Sequence, residues 1–223
     1  GTAGVGLTSK LSTADFQTAV LRVWPDADLA GDPAEDTHSS SGCWIELASA
    51  DGERCYPLHW SYSKQGFTAG HTQEAEVASA YEAIRADGMP LASLLEFLLE
   101  RPIVVEVVED NEAAITAMRK GYSPRLRHLH RTKRIHLGYL EEVFAGDKPQ
   151  AHLLKTATKD QKGDILTKEM SGTRFNDCKQ MLGIEPLALA LRESSRRFLL
   201  CTCGEMKSIA EGVGELMCWC IDA

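Results

Sequence analysis

Ile103, Val104, Val105, Val107 and Val108 form an almost continuous β-branched run, interrupted only by Glu106. A strand of that kind needs cover on both faces, which calls for a sheet with helices packed against it. The rest of the chain fits this in its periodicity. Residues 19–23, 43–48 and 54–60 read as short strands, and the last two flank an Asp51-Gly52 pair, a hairpin signal. Pro25 is expected to end the first strand or distort it, and Pro57 suits an edge strand, because proline brings no N–H to a ladder. The period turns helical over 72–86, with Thr72 as cap and Val77, Tyr81 and Ile84 recurring at helical spacing. Asp87, Gly88 and Pro90 predict a break before a leucine-rich helix over 91–100. Helices are expected over 113–118 and 135–144, a strand over 150–154, and helices over 164–168 and 175–182. This order predicts an α/β fold, a mixed sheet covered by helices.

Length and composition set the limits of such a fold. The 223 residues, 43% hydrophobic and 25% charged, suffice for one core and a small appendage. No stretch reaches the roughly 18–20 apolar residues of a membrane span, and the longest candidate, 89–99, contains Glu96. The chain starts at Gly1 without a leader pattern and reads as a piece of something longer. Seven cysteines, an odd and scattered set, fit a reducing compartment better than a secreted disulfide scaffold. Residues 1–18 read as a linker or frayed terminus, 19–183 as the main domain, and 184–223 as a Cys-containing extension. Its Cys201-Thr202-Cys203 and Cys218-Trp219-Cys220 units match zinc-ligand spacing poorly, so ordinary thiols are the reading kept. Gly-rich phosphate cradles and His-Glu-x-x-His zinc patterns are absent from the sequence.

The charge is segregated. Overall it is −8, yet residues 119–134 hold seven basic residues and no acid, leaving 17 basic against 32 acidic residues elsewhere. A basic stripe on an acidic body suits phosphates held beside carboxylates; the bland alternative is a solvated loop. Four acids stand at telling places: Asp26 after the first strand, Glu76 in the first helix, Asp110 after the buried run, and Asp164 opening a late helix. If the fold gathers them, their repulsion calls for cations, and hard oxygen donors suit magnesium or manganese. Two such ions about 4 Å apart serve in-line phosphoryl displacement.

Short words around these acids carry a resemblance. Pro25-Asp26-Ala27-Asp28 with Ser39-Ser40-Ser41-Gly42, Trp60 with Ser63-Lys64-Gln65, and Thr72-Gln73-Glu74-Ala75-Glu76 come first. Glu109-Asp110-Asn111, His130-Arg131-Thr132-Lys133-Arg134-Ile135, and Gln161-Lys162-Gly163-Asp164-Ile165-Leu166-Thr167-Lys168 follow. In this order, from about residue 20 to 183, they resemble the ribonuclease H domain of copia-type long-terminal-repeat retrotransposon Pol polyproteins.

The resemblance implies a ribonuclease H-like five-stranded mixed sheet flanked by helices, with 184–223 as a short appendage. It implies Asp26, Glu76, Asp110 and Asp164 as catalytic and metal-binding acids for two Mg or Mn ions. Asp26 is chosen over Asp28 for its closeness to the strand end. Glu76 is chosen over Glu74 because it shares a helix face with Ala80 and because the family's acid is the second of its pair. The implied activity is cleavage of the RNA strand of an RNA–DNA hybrid, with Arg131, Lys133, Arg134 and Lys64 on the nucleic acid. The implied partners are that hybrid and the reverse transcriptase domain of the same polyprotein, with no membrane. The implied place is the cytoplasm, in a virus-like particle, or the nucleus. A catalytically inactive remnant that still binds nucleic acid, or serves only as structure, is the alternative. Pro25 stands where the family usually has Ser or Thr, Leu29 where it has Trp, Gly163 where it has Ala, and Glu169 where it has Pro.

Overall fold

The computed structural model of the chain describes residues 5–8, 11–12, 14–29 and 37–186, with 218–219 as backbone alone. Strand β1 (Val5–Thr8) precedes the main sheet. That sheet opens with an antiparallel meander of β2 (Val20–Asp28), β3 (Ser40–Ala48) and β4 (Cys55–Lys64). A helical run then leads through α1 (Thr72–Glu82), a π-helical turn at Ala83–Gly88, and α2 (Met89–Leu99). It delivers the chain to β5 (Val105–Glu109), which lies parallel to β2. Helices α3 (Glu112–Lys120), α4 (Leu129–Lys133) and α5 (Leu137–Ala145) connect β5 to β6 (Ala151–Lys155), parallel to β5. The sheet order is β4-β3-β2-β5-β6. One-turn helix α6 (Asp164–Thr167) and helix α7 (Gly172–Met181) follow, then β7 (Ile184–Pro186) and β8 (Cys218–Trp219).

Both sheet faces are covered, as the β-branched run requires. Leu21, Val23, Ile45, Leu47, Val105 and Val107 pack in one cluster with Val77, Ile84, Ile115, Met118 and Leu140 of the helices. Each such side chain removed from water contributes about 1.5–3 kcal/mol. The other face carries a smaller cluster of Trp24, Trp44, Val108 and Leu182, with Ile165 and Leu166 of α6 against it. Among the described residues no helix is long and apolar enough to cross a membrane.

Four sequence expectations meet a particular local answer. Pro57 does lie on an edge strand, and it pairs with Glu46 where the register shifts, so the bulge absorbs its missing donor. Pro25, however, neither ends nor breaks β2, which runs on to Asp28 with Pro25 opposite Cys43. The reason is its side of the strand. Leu21 N donates to Val104 O (2.9 Å), so odd-numbered residues of β2 turn their backbone groups toward β5. The β2–β5 pairing stops at Val23–Val107, so no ladder bond is asked of Pro25.

The break expected at residues 87–90 is likewise absent. The π turn carries the helical run through Gly88, and Pro90 falls in the first turn of α2, where its absent N–H matters least. A Cβ at Gly88 would stand 3.2 Å from Val23 Cγ2, so the run crosses the sheet closely there. Finally, within 1–18, read as linker or frayed terminus, Val5–Thr8 form a strand. β1 pairs antiparallel with β7 and with β8, and both the N–H and the hydroxyl of Thr8 donate to Gly183 O (2.8 and 3.0 Å). In the Cys-containing extension, Cys201, Cys203 and Cys220 lie outside the described residues.

Candidate active site

Where β2 and β5 part, a gap opens at the carboxyl ends of two parallel strands, the place where open α/β sheets bind ligands. Gln161, fully buried, fills its base: Nε2 donates to Pro25 O (2.9 Å) and Val108 O (3.3 Å). Asp26 stands on one side of the gap, and Glu109 and Asp110 end the other. Helix α1 is tied across it, since Ser79 Oγ donates to Asp26 O (2.8 Å) and Gln65 Nε2 to Ala75 O (2.9 Å). That anchoring brings in Glu76. The chain direction after Asp110 is set by Asn111, whose side chain accepts from Ala113 N and Ala114 N (3.0 Å each) and caps α3.

Asp26, Glu76 and Asp110 each offer a carboxylate oxygen within 4.8 Å of the others. Asp26 is 0% and Glu76 3% exposed, and Asp110 is half-buried. Glu109, also fully buried, accepts from Asn111 N (2.9 Å) through Oε1. The Oε2 atoms of Glu76 and Glu109 have no hydrogen-bond partner. Burial pushes the Asp26 carboxyl up, against the pull of the Lys168 ammonium. Burial pushes Glu76 up too, reinforced by the negative charges of Glu109 and Asp26, and Glu109 is raised for the same first reason. Buried, mutually repelling carboxylates with unused lone pairs are a donor set that fits a hard divalent cation.

The fourth expected acid is placed differently. Asp164, 3% exposed, accepts from Lys168 Nζ through Oδ1 (2.6 Å) and from Arg174 Nη2 through Oδ2 (2.9 Å). The same Lys168 ammonium reaches Asp26 Oδ1 at 3.0 Å, and Thr167 Oγ1 donates to Asp26 Oδ2. Asp164 therefore borders the three-acid cluster across a lysine. Its helix sits close to the sheet at two glycines. A Cβ on Gly163 would lie 2.7 Å from Asp26 Cβ, and one on Gly42 2.7 Å from Thr167 Cγ2. Neither position has room for a side chain in this packing.

Of the open doublets, Asp26 and Glu76 are the members that join the cluster. Glu74 turns away: its carboxylate meets His128 Nε2 (3.2 Å) and accepts from Gly70 N (2.9 Å). Asp28 lines a cleft with Thr72, Glu76, Asp110, Thr158 and Lys168. The basic residues lie elsewhere on the surface. Arg131 and Arg134 are exposed, Arg134 in left-handed backbone (φ 58°) at the end of α4. Lys133 Nζ stands 4.4 Å from the Phe67 ring centre, beside a groove that Arg125, His128 and Thr68 also line. Lys64, at the end of β4, donates to His38 O (3.3 Å). Sequence reasoning missed Glu109, Gln161 and Lys168 as parts of the site. The signal was there, since each lies inside a word that also holds one of the acids.

No family model matches the chain. A curated retrovirus-related Pol polyprotein, from transposon TNT 1-94 of Nicotiana tabacum, is 26% identical over 169 residues. The match covers 74% of this chain and 11% of that relative, so the chain spans about a tenth of the polyprotein's length. Among solved structures, the N-terminal ribonuclease H domain of a Mycobacterium tuberculosis protein aligns at 13% identity with a TM-score of 0.45, covering 73% of this chain and 97% of that one. A prototype foamy virus ribonuclease H domain aligns at 18% with a TM-score of 0.34, covering 74% and 91%. The sheet is mixed, an antiparallel meander with two parallel strands beside its first strand, and the chain that forms it is similar in sequence to a retrotransposon Pol polyprotein.

Proposed function

We propose that residues 19–183 are a ribonuclease H domain of a copia-type Pol polyprotein, which hydrolyses the RNA strand of RNA–DNA hybrids during reverse transcription. The observation that carries this reading is the three-acid cluster at the split of β2 and β5, with the unpartnered oxygen of Glu76 beside it. Asp26, Glu76 and Asp110 would hold magnesium or manganese, and Asp164 would join them for a second ion. Bound there, such ions activate water for attack on a phosphodiester and stabilise the leaving oxygen. The chain's own part is to fix the donors. Ser79 and Thr167 hold Asp26, Asn111 holds the turn after Asp110, and Gln161 holds the two strand ends. The basic stripe, through Arg131, Lys133 and Arg134, with Lys64 from β4, tracks backbone phosphates and makes binding salt-dependent. The reverse transcriptase domain of the same polyprotein supplies the hybrid, in a virus-like particle in the cytoplasm or in the nucleus.

A second reading, a remnant that binds but does not cut, is favoured by one observation: Asp164 is engaged by Lys168 and Arg174. One assay separates the two. With millimolar magnesium or manganese the protein is expected to cut the RNA of a hybrid, and Asp110→Asn to reduce cutting to background with binding retained. Salt-sensitive hybrid binding without any cleavage by the unmutated chain would establish the remnant.

A further inference from the structure

We propose that Lys168 is a built-in cation of the acid site, whose ammonium serves Asp26 and Asp164 in place of a second divalent ion. The metal-free chain then takes up one ion at Asp26, Glu76 and Asp110, and a second only when Lys168 leaves. The inference rests on the reading of this cluster as a metal centre.

Three observations carry it. The first is contact: one ammonium lies 3.0 Å from Asp26 Oδ1 and 2.6 Å from Asp164 Oδ1, two carboxylates almost wholly buried. Their other oxygens are used as well, by Thr167 on Asp26 and Arg174 on Asp164. Against this, Glu76 keeps a buried oxygen with no partner. The site is thus divided into a half already satisfied by the chain and a half that is not.

The second observation is placement. Lys168 N donates to Asp164 O (3.0 Å), closing the turn that α6 makes, and α6 lies on the sheet at Gly42 and Gly163, where even a methyl group would collide. The lysine is therefore held against the acids by the backbone on which it sits. Its side chain keeps 30% exposure, which leaves it a way out toward the cleft. The third is charge. Asp26, Glu76, Glu109, Asp110 and Asp164 carry five negative charges when ionised, against the two positive charges of Lys168 and Arg174. One divalent ion brings the group close to neutrality. A second overcharges it unless Lys168 withdraws or a phosphate arrives, which couples entry of the second ion to substrate.

The test is a manganese titration of the full chain, counting bound ions from the loss of the free-ion electron paramagnetic resonance signal. The unmutated chain is expected to bind one ion, and a second at least tenfold more weakly. Lys168→Met is expected to tighten the second ion at least tenfold, whereas Lys168→Arg, which keeps the charge, stays as the unmutated chain. Equal second-ion affinity in the unmutated chain and Lys168→Met overturns the inference but leaves the metal centre standing. Loss of all binding in the unmutated chain sinks the metal centre itself, a separate result. A second measurement needs no variant: acetic anhydride labelling of Lys168, read by peptide mass spectrometry, should rise severalfold as the second ion binds. Unchanged labelling with two ions bound overturns the inference.

Discussion

Two groups of buried carboxylates at the main sheet have opposite surroundings. On β3, Glu46 is 1% exposed and every oxygen is engaged: Trp24 Nε1 donates to Oε1 (3.1 Å), Trp44 Nε1 to Oε2 (2.9 Å), and Lys162 Nζ lies 2.7 Å from both. Two residues beyond Trp24 on β2, Asp26 faces Glu76 and Asp110, with unpartnered oxygens on Glu76 and Glu109. Burial costs both groups of acids their hydration. Glu46 recovers it from fixed partners, so nothing more is required there. The second group recovers only part, and the shortfall marks it as the place where something from outside belongs. A buried acid is thus weak evidence for a site, and a buried acid left short of partners is strong evidence.

The same amide substitution probes both sites. Glu46→Gln should lower unfolding stability by about 3–5 kcal/mol, because it strands the Lys162 ammonium among indole rings; urea denaturation measures this. Next in size is Gly163→Ala, which adds a methyl group where Asp26 Cβ would be 2.7 Å away. It should cost about 1–3 kcal/mol and loosen the Lys168 contacts, with chemical denaturation and the Lys168 labelling rate as readouts. Glu76→Gln, in the absence of divalent ions, should go the other way by about 1 kcal/mol, since it removes a carboxyl that burial and acidic neighbours hold above its usual range at a cost to the folded state. If both amide variants lose stability equally, the contrast between the two sites is gone.

The smallest effect lies at the far edge and concerns neither site. Asp15 is held well below the usual carboxylate range by Arg54, whose Nη2 donates at 2.8 Å, and by hydrogen bonds from Ser12. A carboxylate lowered in the folded state stabilises it above the unfolded-state value, and that contribution fades as pH falls. Urea midpoints should therefore decline below about pH 4, and Arg54→Gln should flatten that decline. A decline unaffected by Arg54→Gln would show that the Asp15–Arg54 pair is not its source.

Periodicity revealed the sheet because each strand's pattern is local. The run at 103–108 demanded two covered faces, and β5 has them, with Val105 and Val107 in the larger cluster and Val108 in the smaller one. What stayed hidden depends on distant partners. Pro25 read as a stop because its side of the strand cannot be known before β5 is placed. Gly88 and Pro90 read as a break because a π turn leaves no periodic trace. β1 read as a frayed end because its partner strand lies some 175 residues on, at Gly183 and beyond. At the site, Asp26, Glu76 and Asp110 were singled out by the short words around them, although Asp26 lies inside β2 and not after it. The engagement of Asp164 was not, since it needs Lys168 and Arg174 folded back along α6 and α7.

The proline in β2 also decides something about motion. Parallel neighbours that diverge could in principle zip further, drawing β5 along β2 until the acids were sealed in. A residue with an N–H at position 25 would offer the next rung. Pro25 withholds it, and its carbonyl is already taken by Gln161. The gap between the two strand ends is thus kept by chemistry in the strand itself, with the Gln161 side chain standing where the next rung would be.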